Sequence, residues 1–210
     1  MVNTSFRDTA AALARVARGF YKRGWALGTS GNFSAVVSRE PLRLAITPSG
    51  VDKSELTAEQ IIEIAWDGGE ISGANCKPSA ETLLHIRAME RGAQAVFHTH
   101  SVWGTVLSRI HAPAGGILIE GFEMLKGLEG VTSHEHREWL PIIENSQDMS
   151  ALAERVSRVL REYPASHGFL LQQHGLYTWG ASVAQAKRHV EILEFLLETA
   201  GRLWMKETTV

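Results

Sequence analysis

The sequence predicts an α/β protein in which a single domain carries a central mixed, largely antiparallel sheet covered by helices. Three observations carry this reading. Stretches with apolar residues three and four apart alternate with short β-branched runs along the chain. Several runs are joined by tight turns, which makes antiparallel neighbours. No repeat, low-complexity tract or Pro/Ser-rich linker divides the 210 residues, so 1–210 reads as one domain.

The elements follow in order. Leu13, Val16, Ala17 and Phe20 define an amphipathic helix in the first 25 residues, with Ser5 placed to cap it and Gly24 to end it. GNFSAVVS and LRLAIT form a strand pair around Arg39-Glu40-Pro41, and Thr47-Pro48-Ser49-Gly50 makes a turn. IIEIAW is a strand that Asp67-Gly68-Gly69 folds into a hairpin. Ser79 starts a helix over about 80–91, which puts Glu81 in its first turn, where a carboxylate complements the helix dipole. AVFHTH is an apolar strand, SVWGTVLSR a helix, GGILIEG a strand, and residues 122–127 a short helical turn. A helix runs from Asp148 to about Tyr163 and stops before Pro164. GFLLQQHGLYTWG is a strand pair turning at His174-Gly175, and one long helix follows from about Ser182.

Composition excludes several classes. The chain is 44% hydrophobic and 21% charged, with 21 basic and 23 acidic side chains and a formal net charge of −2. Neither sign is in the excess that a nucleic-acid or membrane-surface partner requires, and no window approaches a bilayer-spanning run. The lone Cys76 rules out an internal disulfide, and the N-terminal residues lack the features of a secretory signal, so the expected compartment is the reducing cytosol, a cytoplasmic location.

His98-Thr99-His100 is the sharpest chemical feature. Side chains at i and i+2 of a strand leave the same face, so both imidazoles can converge on one ion. The plain alternative is one satisfied and one surface histidine. His134-Glu135-His136 has the same spacing but no apolar strand leading into it, and it reads as a solvated loop. His174, at a turn where Gly175 lets the backbone bend, is the best third ligand. Three neutral imidazoles with an open fourth position describe a catalytic zinc site, and they also suit other divalent metals. His85 and His189 fall in helices and His111 and His167 near loops, where surface or core-edge roles are expected.

A second constellation is built from glycine and hydroxyl residues: Gly28-Thr29-Ser30-Gly31-Asn32, Thr47-Pro48-Ser49-Gly50 and Lys77-Pro78-Ser79. Backbone N–H groups in such turns and nearby hydroxyls bind phosphate oxygens, although each alone is an ordinary turn. None has the spacing of a dinucleotide or Walker loop. Glu81, in the first turn of the helix begun at Ser79, and Glu123, just beyond an apolar strand, are the candidate carboxylates, and a proton-transfer catalyst needs one close to the metal.

In combination, G-T-S-G-N-x-S, I-T-P-S-G, K-P-S-x-E, H-T-H and Q-H-G resemble the class II aldolase family, in the family's order and over nearly the whole chain. The resemblance implies an α/β fold with a largely antiparallel sheet and a tetrameric assembly. It also implies one Zn2+ per subunit on His98, His100 and His174, and a phosphate pocket drawn from Asn32, Ser49, Gly50 and Ser79. The substrate it implies is a small phosphorylated ketose. The stretches EGFEMLKG and LPIIEN are most similar to the family's dehydratase branch, which makes Glu123 the acid/base. Aldolases of the family use a glutamate at the position of Glu81, and aldolase or epimerase chemistry is therefore the alternative. A zinc-stabilised interaction module is a further alternative, disfavoured because structural zinc usually has four ligands including cysteines.

Overall fold

Helix α1 (Phe6–Lys22) buries Leu13, Val16, Ala17 and Phe20, the face that their spacing selects. It is followed at Gly24 by a φ of 76°, which glycine adopts without strain. The structure is a computed structural model that describes residues 6–67, 69–72 and 76–208, so the expected Ser5 cap lies outside the described residues.

Nine strands follow among the described residues: β1 (Asn32–Arg39), β2 (Leu42–Ile46), β3 (Ile62–Ala65), β4 (Glu70–Ser72), β5 (Ala95–Thr99), β6 (Gly116–Glu120), β7 (Arg137–Ile143), β8 (Gly168–Leu171) and β9 (Gly175–Gly180). They make one sheet in the order β4-β3-β2-β1-β5-β9-β8-β7-β6. Its ladders are antiparallel except for β7–β8, so the sheet is mixed and largely antiparallel as the sequence predicts.

The helices α2 (Thr82–Glu90) and α4 (Met149–Glu162) cover one face. Their Leu84, Met89, Leu152 and Val156 pack with Val96 of β5. On the other face Ala95 and Phe97 meet Leu13 and Phe20 of α1 and Val190 of α5 (Val183–Thr208). Period-two alternation thus splits one strand between two cores. Phe20, Phe33 and Phe97 form an aromatic cluster with centroids 5.5–6.1 Å apart. Each ring buried this way is worth roughly 1.5–3 kcal/mol. The helix α3 (Val102–Ile110) packs with α5 over Leu140 and Leu170. Among the described residues no helix is long and apolar enough to cross a membrane.

One strand goes unannounced in the sequence, and one local expectation differs from the structure. β7 lacks a sequence signal, because it opens on Arg137 and Glu138 and contains Pro141; its pairing with β6 and β8 makes it a strand. The loop ahead of it is only partly solvated, since His134 is exposed while His136 folds back onto buried Glu138.

Strand directions fix where chemistry can occur. β5, β7 and β8 run one way and β6 and β9 the other. His100 and the β8–β9 turn therefore share one end of the sheet, and the residues after Glu120 lie at the opposite end.

Candidate metal centre

β5 delivers the first two histidines. His98 is its fourth residue, and His100 lies just beyond it, where its N–H donates to the Trp25 carbonyl at 2.8 Å. Ser101 then caps α3, its Oγ accepting the Gly104 N–H at 2.9 Å, so the chain turns away as soon as both rings are placed. Their centroids are 4.5 Å apart.

The β8–β9 turn brings His174. Its left-handed residue is Gln173, with a φ of 56°, and the Gln173 N–H donates to Ser108 Oγ at 2.9 Å. Gly175 serves a different need from the tight bend expected of it. A Cβ there would overlap the Thr99 carbonyl oxygen, so only glycine lets β9 close on β5. The closure sets His174 Nε2 3.3 Å from His98 Nε2.

That spacing suits a metal ion. His98 Nδ1–H donates to the Leu176 carbonyl at 2.9 Å, which leaves Nε2 as a bare lone pair. A tetrahedral zinc ion with nitrogens at 2.0–2.1 Å has ligand–ligand edges of about 3.3–3.4 Å. His100 Nε2 is buried without a hydrogen-bond partner. Burial, helped by the neighbouring imidazoles, holds His98 well below the ordinary histidine range, and burial pushes His100 down to about 4. Neutral rings are the metal-binding form. Glu81 completes the cluster, its oxygens 3.4 Å from His174 Nε2 and 3.7 Å from His98 Nε2. Glu81, His98, His100 and His174 each offer a ligand atom, all within 4.8 Å of one another. The set fits a divalent transition-metal ion.

Glu81 is aimed by its surroundings. α2 starts at Thr82, so Glu81 occupies the N-cap position rather than the first turn, and its N–H bonds Ser79 Oγ at 3.2 Å. Asn32 Nδ2 donates to Glu81 Oε2 at 2.6 Å. Asn32 also pairs with His98 across the β1–β5 ladder. Behind it His85 Nε2–H donates to Asn32 Oδ1, and Ser34 Oγ–H donates to His85 Nδ1 at 2.6 Å. His85 is therefore a buried support of the site, and burial pushes it down to about 3.

The phosphate candidates gather beside the histidines. A cavity of about 170 Å3 is lined by Thr29, Ser30, Asn32, Ser49, Ser79 and His100, among others. A bond from Ser49 N–H to the Lys77 carbonyl and a Pro48–Pro78 bridge join two of the predicted turns into its wall. Gly50, with a φ of 72°, shapes the turn without lining the cavity. Lys53, which sequence reading passes over, is buried beneath. Its Nζ donates to the carbonyls of Thr29 and Val51 at 3.1 and 2.8 Å, and burial pushes it down to about 8. Glu194 is also missed; it accepts from Thr99 Oγ1 between the two β5 histidines, and burial raises it to about 7. Neither residue belongs to a motif, and their burial is decided by distant elements.

Glu123 stands apart. It follows β6 at the opposite end of the sheet, 71% exposed, paired with Lys126 and 3.9 Å from His134.

Comparison with known proteins places this geometry. Methylthioribulose-1-phosphate dehydratase from Alcanivorax borkumensis is 43% identical over 196 residues, covering 92% of this chain and 90% of that protein. The protein of the same name from Methylococcus capsulatus is 41% identical, with 97% and 98% covered. The crystal structure of L-fuculose-1-phosphate aldolase from Thermus thermophilus superposes with a TM-score of 0.74 at 25% identity, covering 95% of this chain and 98% of that one. The model of the Class II Aldolase and Adducin N-terminal domain matches residues 11–200, and the chain belongs to that family.

Proposed function

We propose that this chain is a single-domain hydro-lyase that dehydrates 5-methylthioribulose 1-phosphate to 5-methylthio-2,3-dioxopentyl phosphate in methionine salvage. The carrying observation is the convergence of His98, His100 and His174 beside a hydroxyl-lined cavity, in a chain that matches the named dehydratases over nearly its whole length. The resident ion is taken to be one Zn2+ per subunit, and the compartment the cytoplasm.

Bound at the three histidines, the ion would polarise the C2 carbonyl and so acidify the C3 hydrogen. The chain's residues supply the rest. Thr29, Ser30, Ser49 and Ser79 present hydroxyls where a phosphate would sit, and buried Lys53 adds a positive charge beneath them. Asn32 holds the Glu81 carboxylate against the histidines. Loss of the C3 proton and the C4 hydroxyl as water leaves an enol, and its tautomer is the 2,3-diketone.

The acid that protonates the departing C4 hydroxyl is assigned to Glu123. It lies at the far end of its own sheet, so in the proposed homotetramer it reaches the histidines of a neighbouring copy. Exposed Val102, Leu118 and Met124 supply apolar surface for such a contact. Sugar-phosphate aldolase chemistry is the second reading, favoured by the placement of Glu81 on the histidines. The deciding experiment incubates the zinc-loaded protein separately with methylthioribulose 1-phosphate, fuculose 1-phosphate and ribulose 5-phosphate. Release of water and the diketone phosphate from the first alone is expected, and cleavage of fuculose 1-phosphate overturns the dehydratase reading.

A further inference from the structure

The end of the sheet opposite the three histidines carries a second set of donors. His136 sits ahead of β7, Glu138 is the second residue of β7, and His167 immediately precedes β8. Two stretches of chain thus bring two imidazoles and a carboxylate together, with a ligand atom from each residue within 4.8 Å of the others. Glu138 is 1% exposed. Its Oε2 lies 2.8 Å from His136 Nε2 and 2.9 Å from His167 Nδ1, and its Oε1 accepts the His167 N–H at 2.8 Å.

We propose that His136, Glu138 and His167 form a second site for a divalent transition-metal ion of the zinc type. Two histidines and one glutamate are an established ligand set for zinc, with the fourth position left open. Each ligand is already oriented. His167 Nε2–H donates to the Glu129 carbonyl at 2.8 Å, which directs Nδ1 at Glu138 Oε2. A backbone carbonyl holding the far nitrogen is the usual support of a metal-binding imidazole. The backbone bond to Oε1 fixes the carboxylate in the same way. Ligand edges of about 3.3 Å suit zinc, and the two edges from Glu138 Oε2, at 2.8 and 2.9 Å, need to lengthen by only a few tenths of an ångström.

The surroundings suit an ion as well. His136 and His167 line a cavity of about 530 Å3, from which water or a small anion can occupy the open position. His189 lies against His167 with centroids 5.4 Å apart. Its nitrogens are engaged by the Trp179 carbonyl and the Glu129 N–H, so it walls the site without ligating. A carboxylate buried as deeply as Glu138 requires positive charge beside it; in the ion-free protein His167 supplies it, both ring nitrogens donating, and a bound ion takes over that role by displacing the Nδ1 proton.

The test counts metal. The full chain is stripped with chelator, loaded with Zn2+, passed through metal-free buffer and analysed. Two equivalents per chain are expected in the unaltered protein, and one in His98→Ala. His136→Ala, a partly exposed loop position that spares the fold, is expected to lose one equivalent that His98→Ala retains. The inference is overturned if the unaltered protein holds no equivalent that depends on His136, whether its total is one or two. The His98→Ala count keeps this result separate from the catalytic reading, because an equivalent retained there and lost in His136→Ala supports the second site whatever the first one binds.

Discussion

His98 Nε2 and His174 Nε2 face each other at 3.3 Å, although 76 residues separate them in the chain. His98 has already committed its other nitrogen to Leu176. His98 Nε2 thus presents its lone pair to His174 Nε2, and a shared cation can take both nitrogens as ligands. The close approach depends on Gly175 and on the antiparallel ladders of β9 with β5 and β8.

Replacing His98 or His100 by alanine removes a ligand from a site already closed by packing. The metal held there and the activity are expected to be lost together, while circular dichroism stays that of the folded protein. Full metal occupancy in both variants contradicts the assignment.

Gly175→Ala tests the approach of β9 to β5. Its Cβ meets the Thr99 carbonyl oxygen, which is backbone and cannot swing aside. A destabilisation of roughly 1–3 kcal/mol by urea unfolding is expected, with weakened metal retention. A variant as stable as its parent shows that the ladder has slack there.

The two glutamates are separable. Glu81→Gln is expected to weaken metal binding and to be partly rescued by added Zn2+. Glu123→Gln should lower turnover by on the order of 10²-fold with metal retained and without rescue. Mixed tetramers of the inactive Glu123→Gln and His98→Ala chains are expected to regain activity at about a quarter of their sites, because acid and metal come from different copies. Absence of any recovery places the acid within one chain.

Ser49→Ala and Ser79→Ala each remove a hydroxyl from the cavity wall. If each donates to the phosphate, binding should weaken by roughly 1.5–3 kcal/mol, read mainly in KM. Unchanged constants in both variants restrict these turns to a structural role.

Lys53 gives a pH dependence. Burial pushes it down to about 8, so its charge is present below that pH and lost above it. KM for the phosphorylated substrate should rise by about tenfold between pH 7 and 9, equivalent to ~1.4 kcal/mol, and Lys53→Gln should start high and stay flat. A parallel rise in the variant assigns the effect to another group.

The sequence by itself determined the alternation of helices and strands, because periodicities of 3.6 and 2 are local properties. It also determined His98, His100 and His174 as candidate ligands, since strand spacing and a turn glycine are visible without tertiary contacts. Tertiary structure decided the rest. β7 exists because β6 and β8 pair with it, overriding Pro141 and a charged start. Glu81 stands at the N-cap of α2, and Asn32, on a strand 49 residues earlier, holds its carboxylate at the histidines. His134-Glu135-His136 reads as solvent-facing, yet buried Glu138 draws His136 inward to meet His167 from the next strand's approach. Lys53, His85 and Glu194 carry no motif at all. Their roles follow from burial, and burial is set by elements far away in the chain.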